Sequence, residues 1–239
     1  MMLEITYVYH NCFIIKWNNK SIIFDYPEIL GSREEDFIRK EVAGKKLAIL
    51  ITHSHPDHFS EKFLDLRLIA KNFTCAVSFD VAEKSSKCAK ECLVVNEGAL
   101  FKIWDAEVKA YGSSDLGVSY LLKINGHSIY FAGDNADWRR KELPPQINRL
   151  VWDVFSKTID KIKDEHGKID IVLIDLCEIC ENLGGILHIV NTLRPKLIVP
   201  MHLHGNTKLL ERITKMLSLN AKVFLYDKLG DKIMYPSDV

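Results

Sequence analysis

The run Thr52-His53-Ser54-His55-Pro56-Asp57-His58 places three imidazoles and a carboxylate within the six residues from His53 to His58. Imidazole and carboxylate are the ligands that divalent transition metals take when a water must also be bound and activated. His53 and His55 alternate and Asp57 and His58 are adjacent, so one loop can aim at two neighbouring metal positions. A His-rich surface loop that catches adventitious metal is the bland alternative. The apolar run Leu47-Ala48-Ile49-Leu50-Ile51 just before it argues otherwise, because it reads as a buried strand that would hold the loop in place.

Three more apolar segments end in a ligand-type residue. Ile22-Ile23-Phe24 leads to Asp25, Ile129-Tyr130-Phe131-Ala132-Gly133 to Asp134, and Ile198-Val199-Pro200-Met201 to His202. Ligands gathered at the carboxyl ends of strands are a common way for an α/β fold to build a site. Gly133 lets the backbone come close to whatever Asp134 binds.

On His53-Ser54-His55-Pro56-Asp57-His58, Phe131-Ala132-Gly133-Asp134 and Pro200-Met201-His202, in this order, the sequence resembles the metallo-β-lactamase superfamily over nearly its whole length. Within it, the chain is similar to the branch of ascorbate-6-phosphate lactonase-like metal-dependent hydrolases. The resemblance implies an α/β fold, a four-layer αββα sandwich of two mixed β-sheets flanked by helices, with a dinuclear metal site. By position, His53 and His55 would hold the first metal, Asp57, His58 and His202 the second, and Asp134 would bridge them. Asp25 falls where the family has an acidic residue that orders the histidine loop through hydrogen bonds. One departure stands out. The family's third histidine for the first metal comes from a turn that here reads Gly112-Ser113-Ser114-Asp115-Leu116-Gly117-Val118-Ser119. Ser114 or Asp115 lies nearest the expected place; Asp115 could ligate directly or through water, or simply cap turn amides.

The expected cofactor is one or two divalent ions, zinc first, with manganese or iron as alternatives that an Asp115 ligand would favour. A metal pair would deprotonate a bound water near neutral pH and polarise the scissile bond. Asp57 has a spare oxygen with which to orient that nucleophile and pass a proton to the leaving group. The expected reaction is hydrolysis of an ester, lactone or phosphodiester of a small cytoplasmic substrate. His10, before an aromatic strand, is a candidate pocket residue. His204, Trp138 and Asn135 are candidate substrate contacts, with packing on the core rim as the alternative for Trp138. His188 reads as a helix-surface residue. Asp175 and Glu178 follow a buried strand and could support the ligands at one remove. Cys177 and Cys180 have zinc-knuckle spacing without a matching second pair.

Neutral balance limits the partners. Acidic and basic residues number 32 each over 239 residues, which gives no global case for nucleic acid or an anionic membrane. A nuclease of the same superfamily would carry a large inserted domain or a basic arm. A binding or sensing protein that has lost turnover is the other alternative, motivated by the missing histidine. The N-terminus lacks a basic segment followed by a long apolar stretch, so a cytoplasmic location is expected. The six cysteines, Cys12, Cys75, Cys88, Cys92, Cys177 and Cys180, read as reduced thiols.

The elements that must position these residues follow from periodicity. Strands are expected at Leu3 to Tyr9, Cys12 to Trp17, Ser21 to Asp25, Leu47 to Thr52, Phe73 to Phe79 and Cys92 to Val95, with helices at Ser32 to Val42, from about Glu61, and at Val81 to Ala89. A second series of strands covers Ala99 to Trp104, Glu107 to Tyr111, Gly117 to Ile124 and His127 to Ala132, with an Asn125-Gly126 hairpin turn. The rest alternates: helix Val151 to Glu165, strand Ile169 to Ile174, helix Leu183 to Leu193, strand Leu197 to Met201, helix Thr207 to Leu217, then strands Val223 to Tyr226 and Lys232 to Tyr235. No low-complexity linker interrupts this, so one domain, 1–239, is expected, with each half running from a β-meander into strand–helix alternation.

Overall fold

The computed structural model describes residues 2–204, 206–216 and 221–236. The chain forms two compact units, Met1–Val95 with Tyr226–Val239, and Asn96–Leu225. Each repeats the order expected of its half.

The first unit opens with an antiparallel meander of β1 (Leu3–Tyr9), β2 (Cys12–Trp17) and β3 (Lys20–Phe24). Helix α1 (Ser32–Val42) crosses to β4 (Lys46–Ile51), which lies parallel to β3. A 3-10 segment, Glu61–Leu68, leads to β5 (Asn72–Ser78), then α2 (Phe79–Lys84), α3 (Ser86–Glu91) and β6 (Leu93–Val95). A strand from the chain's end, Lys232–Tyr235, pairs antiparallel with β1 and completes a seven-stranded mixed sheet. Strand β4 is buried from Leu47 to Ile51, as a parallel strand covered on both faces should be. Thr52 leaves the strand because its backbone N–H goes instead to the Asp25 carboxylate, at 2.7 Å. In α1, Glu34 and Glu35 sit in the first turn and Arg39 and Lys40 in the last, matching the helix dipole. Its cap is Gly31, whose N–H donates to Glu34 at 3.1 Å. Ile38 and Val42 of α1 join Val8, Ile14, Ile23, Ile49, Phe63 and Val77 in the unit's core.

The second unit repeats the plan. Strands β7 (Leu100–Ile103), β8 (Ala106–Tyr111), β9 (Ser119–Ile124) and β10 (His127–Phe131) form an antiparallel meander. Asn125 and Gly126 both take positive φ in the turn between β9 and β10. Helix α4 (Pro145–His166) then leads to β11 (Ile171–Asp175), a short 3-10 turn, α5 (Ile186–Leu193), β12 (Leu197–Met201), α6 (Lys208–Met216) and β13 (Lys222–Val223); the terminal strand of the first sheet is β14. Strands β10 to β13 are mutually parallel, giving a second seven-stranded mixed sheet. Helix α4 starts earlier than its apolar periodicity suggests, because Pro145 suits a first helical turn, where no backbone N–H is needed. It buries Phe155, Thr158, Ile159 and Ile162.

Several expectations change. The segment from Glu61 is 3-10 rather than α-helical. The helix expected over Val81 to Ala89 is two helices broken at Ser85, whose hydroxyl accepts from the Cys88 N–H at 3.1 Å and so caps the second. The helix expected from Leu183 begins at Ile186, because Asn182, Leu183 and Gly184 adopt left-handed backbone. The strand expected over Val223 to Tyr226 shortens to Lys222–Val223. Leu217, the expected end of α6, lies outside the described residues. The cysteines change most: Cys75–Cys92 and Cys177–Cys180 are disulfides, so only Cys12 and Cys88 are the buried free thiols expected of all six. Among the described residues no helix is long and apolar enough to cross a membrane.

Candidate metal centre

In the first unit the strand ends converge on the histidine loop. Asp25 follows β3 with a left-handed backbone, φ 51°. Its carboxylate accepts from the Thr52 backbone N–H, from the Thr52 hydroxyl at 2.9 Å and from His58 Nδ1 at 2.7 Å. Asp25 and His58 are both fully buried. Burial pushes the Asp25 carboxyl up, and the His58 and Thr52 contacts partly offset it. A carboxylate facing Nδ1 requires the proton there, which leaves a lone pair on His58 Nε2. Asn11 Nδ2 donates to that lone pair at 2.5 Å. A metal on Nε2 would therefore take the place of Asn11.

The other ligand candidates on the loop are equally close. His53 Nε2 and His55 Nδ1 are 3.1 Å apart, and the Thr52 hydroxyl lies 3.1 Å from His53 Nδ1. Asp57 Oδ2 lies 4.0 Å from His58 Nε2 and 3.3 Å from His10 Nε2, so buried His10 meets the carboxylate expected to act in catalysis. The loop's backbone is tied down as well. Ser54 N–H donates to Asp80 at 2.7 Å, Lys84 Nζ donates to the Ser54 carbonyl at 2.7 Å, and Tyr26 N–H donates to the His58 carbonyl at 2.8 Å. Asn11, Thr52, Asp80 and Lys84 are the participants that sequence reasoning missed. Only Thr52 and Asn11 had a readable signal, being adjacent to His53 and His10.

The second unit brings Asp134 and His202 together. Asp134 Oδ1 and His202 Nε2 are 3.9 Å apart. Gly133 precedes Asp134 with φ 53°, and His202 follows β12 with φ 66°. Trp138 packs edge-on against His202 with ring centroids 5.6 Å apart, and its indole N–H donates to the Asp134 carbonyl at 2.9 Å. His204, exposed and also left-handed at φ 45°, lies 5.2 Å from the His202 ring. In the turn that lacks the family's histidine, the Ser114 hydroxyl donates to the Ala136 carbonyl at 2.7 Å and accepts from its N–H at 2.9 Å. The Ser114 N–H donates to Asn135 Oδ1 at 3.1 Å. Ser114 and Asn135 thus brace the Asp134 loop. Asp115 is exposed and offers a carboxylate oxygen within 4.8 Å of one from Asp134. Asp137, fully buried, is held by Arg139 at 2.7 Å to each oxygen and by Asn182 at 2.8 Å. His188 packs between Trp152 and Phe155 instead of facing solvent.

Both units therefore carry imidazole and carboxylate donors at the carboxyl ends of buried strands, the donor set of a metal-binding α/β protein. The model of the beta-lactamase superfamily domain matches residues 4–202, and the chain belongs to that family. Among curated relatives, a UPF0173 metal-dependent hydrolase of Nanoarchaeum equitans is 27% identical over 84% of this chain and 83% of its own length. Another, from Pyrococcus furiosus, is 24% identical over 84% of each chain. A solved metallo hydrolase from the hyperthermophilic archaeon Ignicoccus hospitalis is similar in fold, with a TM-score of 0.69 at 15% identity and all of both chains covered. That likeness shows the fold, two mixed β-sheets flanked by helices.

Proposed function

We propose that this protein is a metal-dependent hydrolase that cleaves an ester, lactone or phosphodiester bond of a small molecule. The observation that carries the reading is the Asp25–His58 pair. A buried carboxylate that fixes the imidazole tautomer and leaves Nε2 as a lone pair is what a ligating histidine needs. The curated relatives of Nanoarchaeum and Pyrococcus carry the name metal-dependent hydrolase, which supports the reading.

The donor set fits one or two divalent ions. As the family resemblance implies, His53 and His55 would hold one and Asp57, His58 and His202 the other, with Asp134 as a further ligand. Asp115 stands where the third histidine is missing. Zinc suits the imidazoles, and manganese or iron suits the carboxylates. A bound divalent ion lowers the pKa of a water it carries to near neutrality and polarises the scissile bond. Asp57 has its second oxygen for orienting the attacking water and returning a proton to the leaving group. His10, 3.3 Å from Asp57, keeps that carboxylate in position. Trp138 and His204 stand beside His202 as substrate contacts. The balanced charge, 32 acidic against 32 basic residues, favours a small substrate over a nucleic acid.

The test is elemental analysis of purified protein followed by turnover assays on a panel of esters, lactones and phosphodiesters. The expected result is one or two metals per chain and turnover of at least one class, abolished by chelation and restored by metal. A metal-loaded protein that turns over none of them would sink the hydrolase reading.

A further inference from the structure

The parallel part of the second sheet holds a carboxylate, Asp175, outside the ligand set proposed above. Strands β10, β11 and β12 are neighbours, with Phe131 opposite Leu173, Leu173 opposite Val199, and Asp175 opposite Met201. Their carboxyl ends therefore stand side by side. Asp134 follows the end of β10, His202 follows the end of β12, and Asp175 ends β11 between them. Asp134, Asp175 and His202 each offer one ligand atom within 4.8 Å of the other two. Asp175 is fully buried and Asp134 is 6% exposed.

We infer that Asp175 is a metal ligand, joining Asp134 and His202 to hold one divalent cation in an oxygen-rich set. The inference rests on the metal centre proposed above and adds a ligand to its His202 side. The physical case starts from charge. Two carboxylates that share a buried corner repel each other and lose hydration. A divalent cation held between them is attracted to both. Asp175 has another carboxylate and an imidazole at ligand distance, the donor types of a metal site.

The loop over Asp175 is closely fitted. A Cβ on Gly184 would come within 2.9 Å of the Asp175 carbonyl and 3.0 Å of the Cys177 nitrogen, so only glycine lets the chain fold back there. The Cys177–Cys180 disulfide closes the same turn. Asp175 thus sits on a braced strand end, as a ligand must. Its chemical consequence is specific. A chain that lacks the family's third histidine gains a carboxylate, which shifts the set toward oxygen-preferring ions such as manganese or iron.

Crystals of the wild-type protein loaded with zinc, and separately with manganese, give the direct test through anomalous scattering. The expected zinc map has an Asp175 oxygen within about 2.0–2.2 Å of an ion that also touches Asp134 and His202. Calorimetric titration of Asp175→Asn should show metal affinity reduced by about tenfold or more, with manganese losing more than zinc. Its circular dichroism reports whether it folds; if it does not, the wild-type map alone decides. An ion bound by Asp134 and His202 with Asp175 only hydrogen-bonded to the imidazole overturns the inference and leaves the metal centre standing. So does a folded Asp175→Asn that binds both ions as tightly as wild type. Wild-type protein that binds no metal overturns the inference together with the proposed function.

Discussion

Asp25 Oδ2 accepts the Nδ1 proton of His58 at 2.7 Å, and neither side chain reaches solvent. The same carboxylate holds Thr52 through both its backbone N–H and its hydroxyl. One group at the end of β3 therefore sets both where β4 stops and how the imidazole is protonated. In Asp25→Asn the amide can turn either its NH2 or its oxygen toward Nδ1, so the tautomer is no longer fixed. Metal affinity should fall by about 10–100-fold, measured by competition with a chromogenic chelator. Unchanged affinity would mean that Asp25 serves the loop's fold and not its ligand.

Metal should stabilise the chain as well as activate it. A ligand that binds only the folded state at a hundred times its Kd adds about 2.7 kcal/mol. At this chain length that is a rise of roughly 5–10 °C in melting temperature. Differential scanning calorimetry with zinc or manganese, against a chelated control, measures it, and a concentration-independent melting point would contradict site binding.

The two disulfides should differ in what they contribute. Cys75 and Cys92 are 17 residues apart, and closing a loop of that size stabilises by about 3 kcal/mol in the chain-entropy account. Cys177 and Cys180 are only 3 apart, and the same account gives them about half as much, ~1.7 kcal/mol. Cys75→Ser with Cys92→Ser should lower the melting temperature by several degrees, and Cys177→Ser with Cys180→Ser by about half as much. Equal losses from both pairs would refute the entropic account.

Asp170 makes stability depend on pH. Burial pushes its carboxyl up, but the Ser128 backbone N–H at 2.9 Å, the Lys196 ammonium at 2.9 Å and the Ser128 hydroxyl outweigh it, and the net shift is downward. A carboxylate with a lowered folded pKa stabilises the fold above its unfolded pKa, and that contribution fades as pH falls through the folded value. Asp170→Asn should therefore cost roughly 1–2 kcal/mol near pH 7. The gap to wild type should shrink on acidification below about pH 4, where the unfolded carboxyl titrates. Urea melts at several pH values check the trend; a gap that widens in acid would reverse the sign.

Strands that carry ligands were legible because their residues leave few alternatives. Ile49-Leu50-Ile51 and Ile198-Val199-Pro200-Met201 are short apolar runs with a polar residue directly after, and a strand end is where such a residue can act. Helix ends were harder to read. The break at Ser85 depends on one hydroxyl choosing the Cys88 N–H, and Asn182 to Gly184 leave the helix through backbone angles that composition does not announce. The Cys75–Cys92 bond needs the two Cα atoms 4.8 Å apart, a distance set by the placement of β5 against β6 and not by spacing along the chain. Asn11 reaches His58 because His10 turns left-handed at φ 53° between β1 and β2. The histidine motif shows candidate donors, but not the residues that hold their tautomers.

One backbone feature has a use beyond this chain. Asp25, His202 and His204 all follow strands in left-handed conformation, a geometry that costs a non-glycine residue roughly 1–2 kcal/mol. Left-handed residues occur elsewhere too, in turns at Asn18 and Asn125 and directly after β7 at Trp104. What sets Asp25 and His202 apart is that the strained strand end carries a carboxylate or an imidazole. A survey of sibling folds could rank strand-terminal residues by this one dihedral and find working sites without comparing a single pair of sequences.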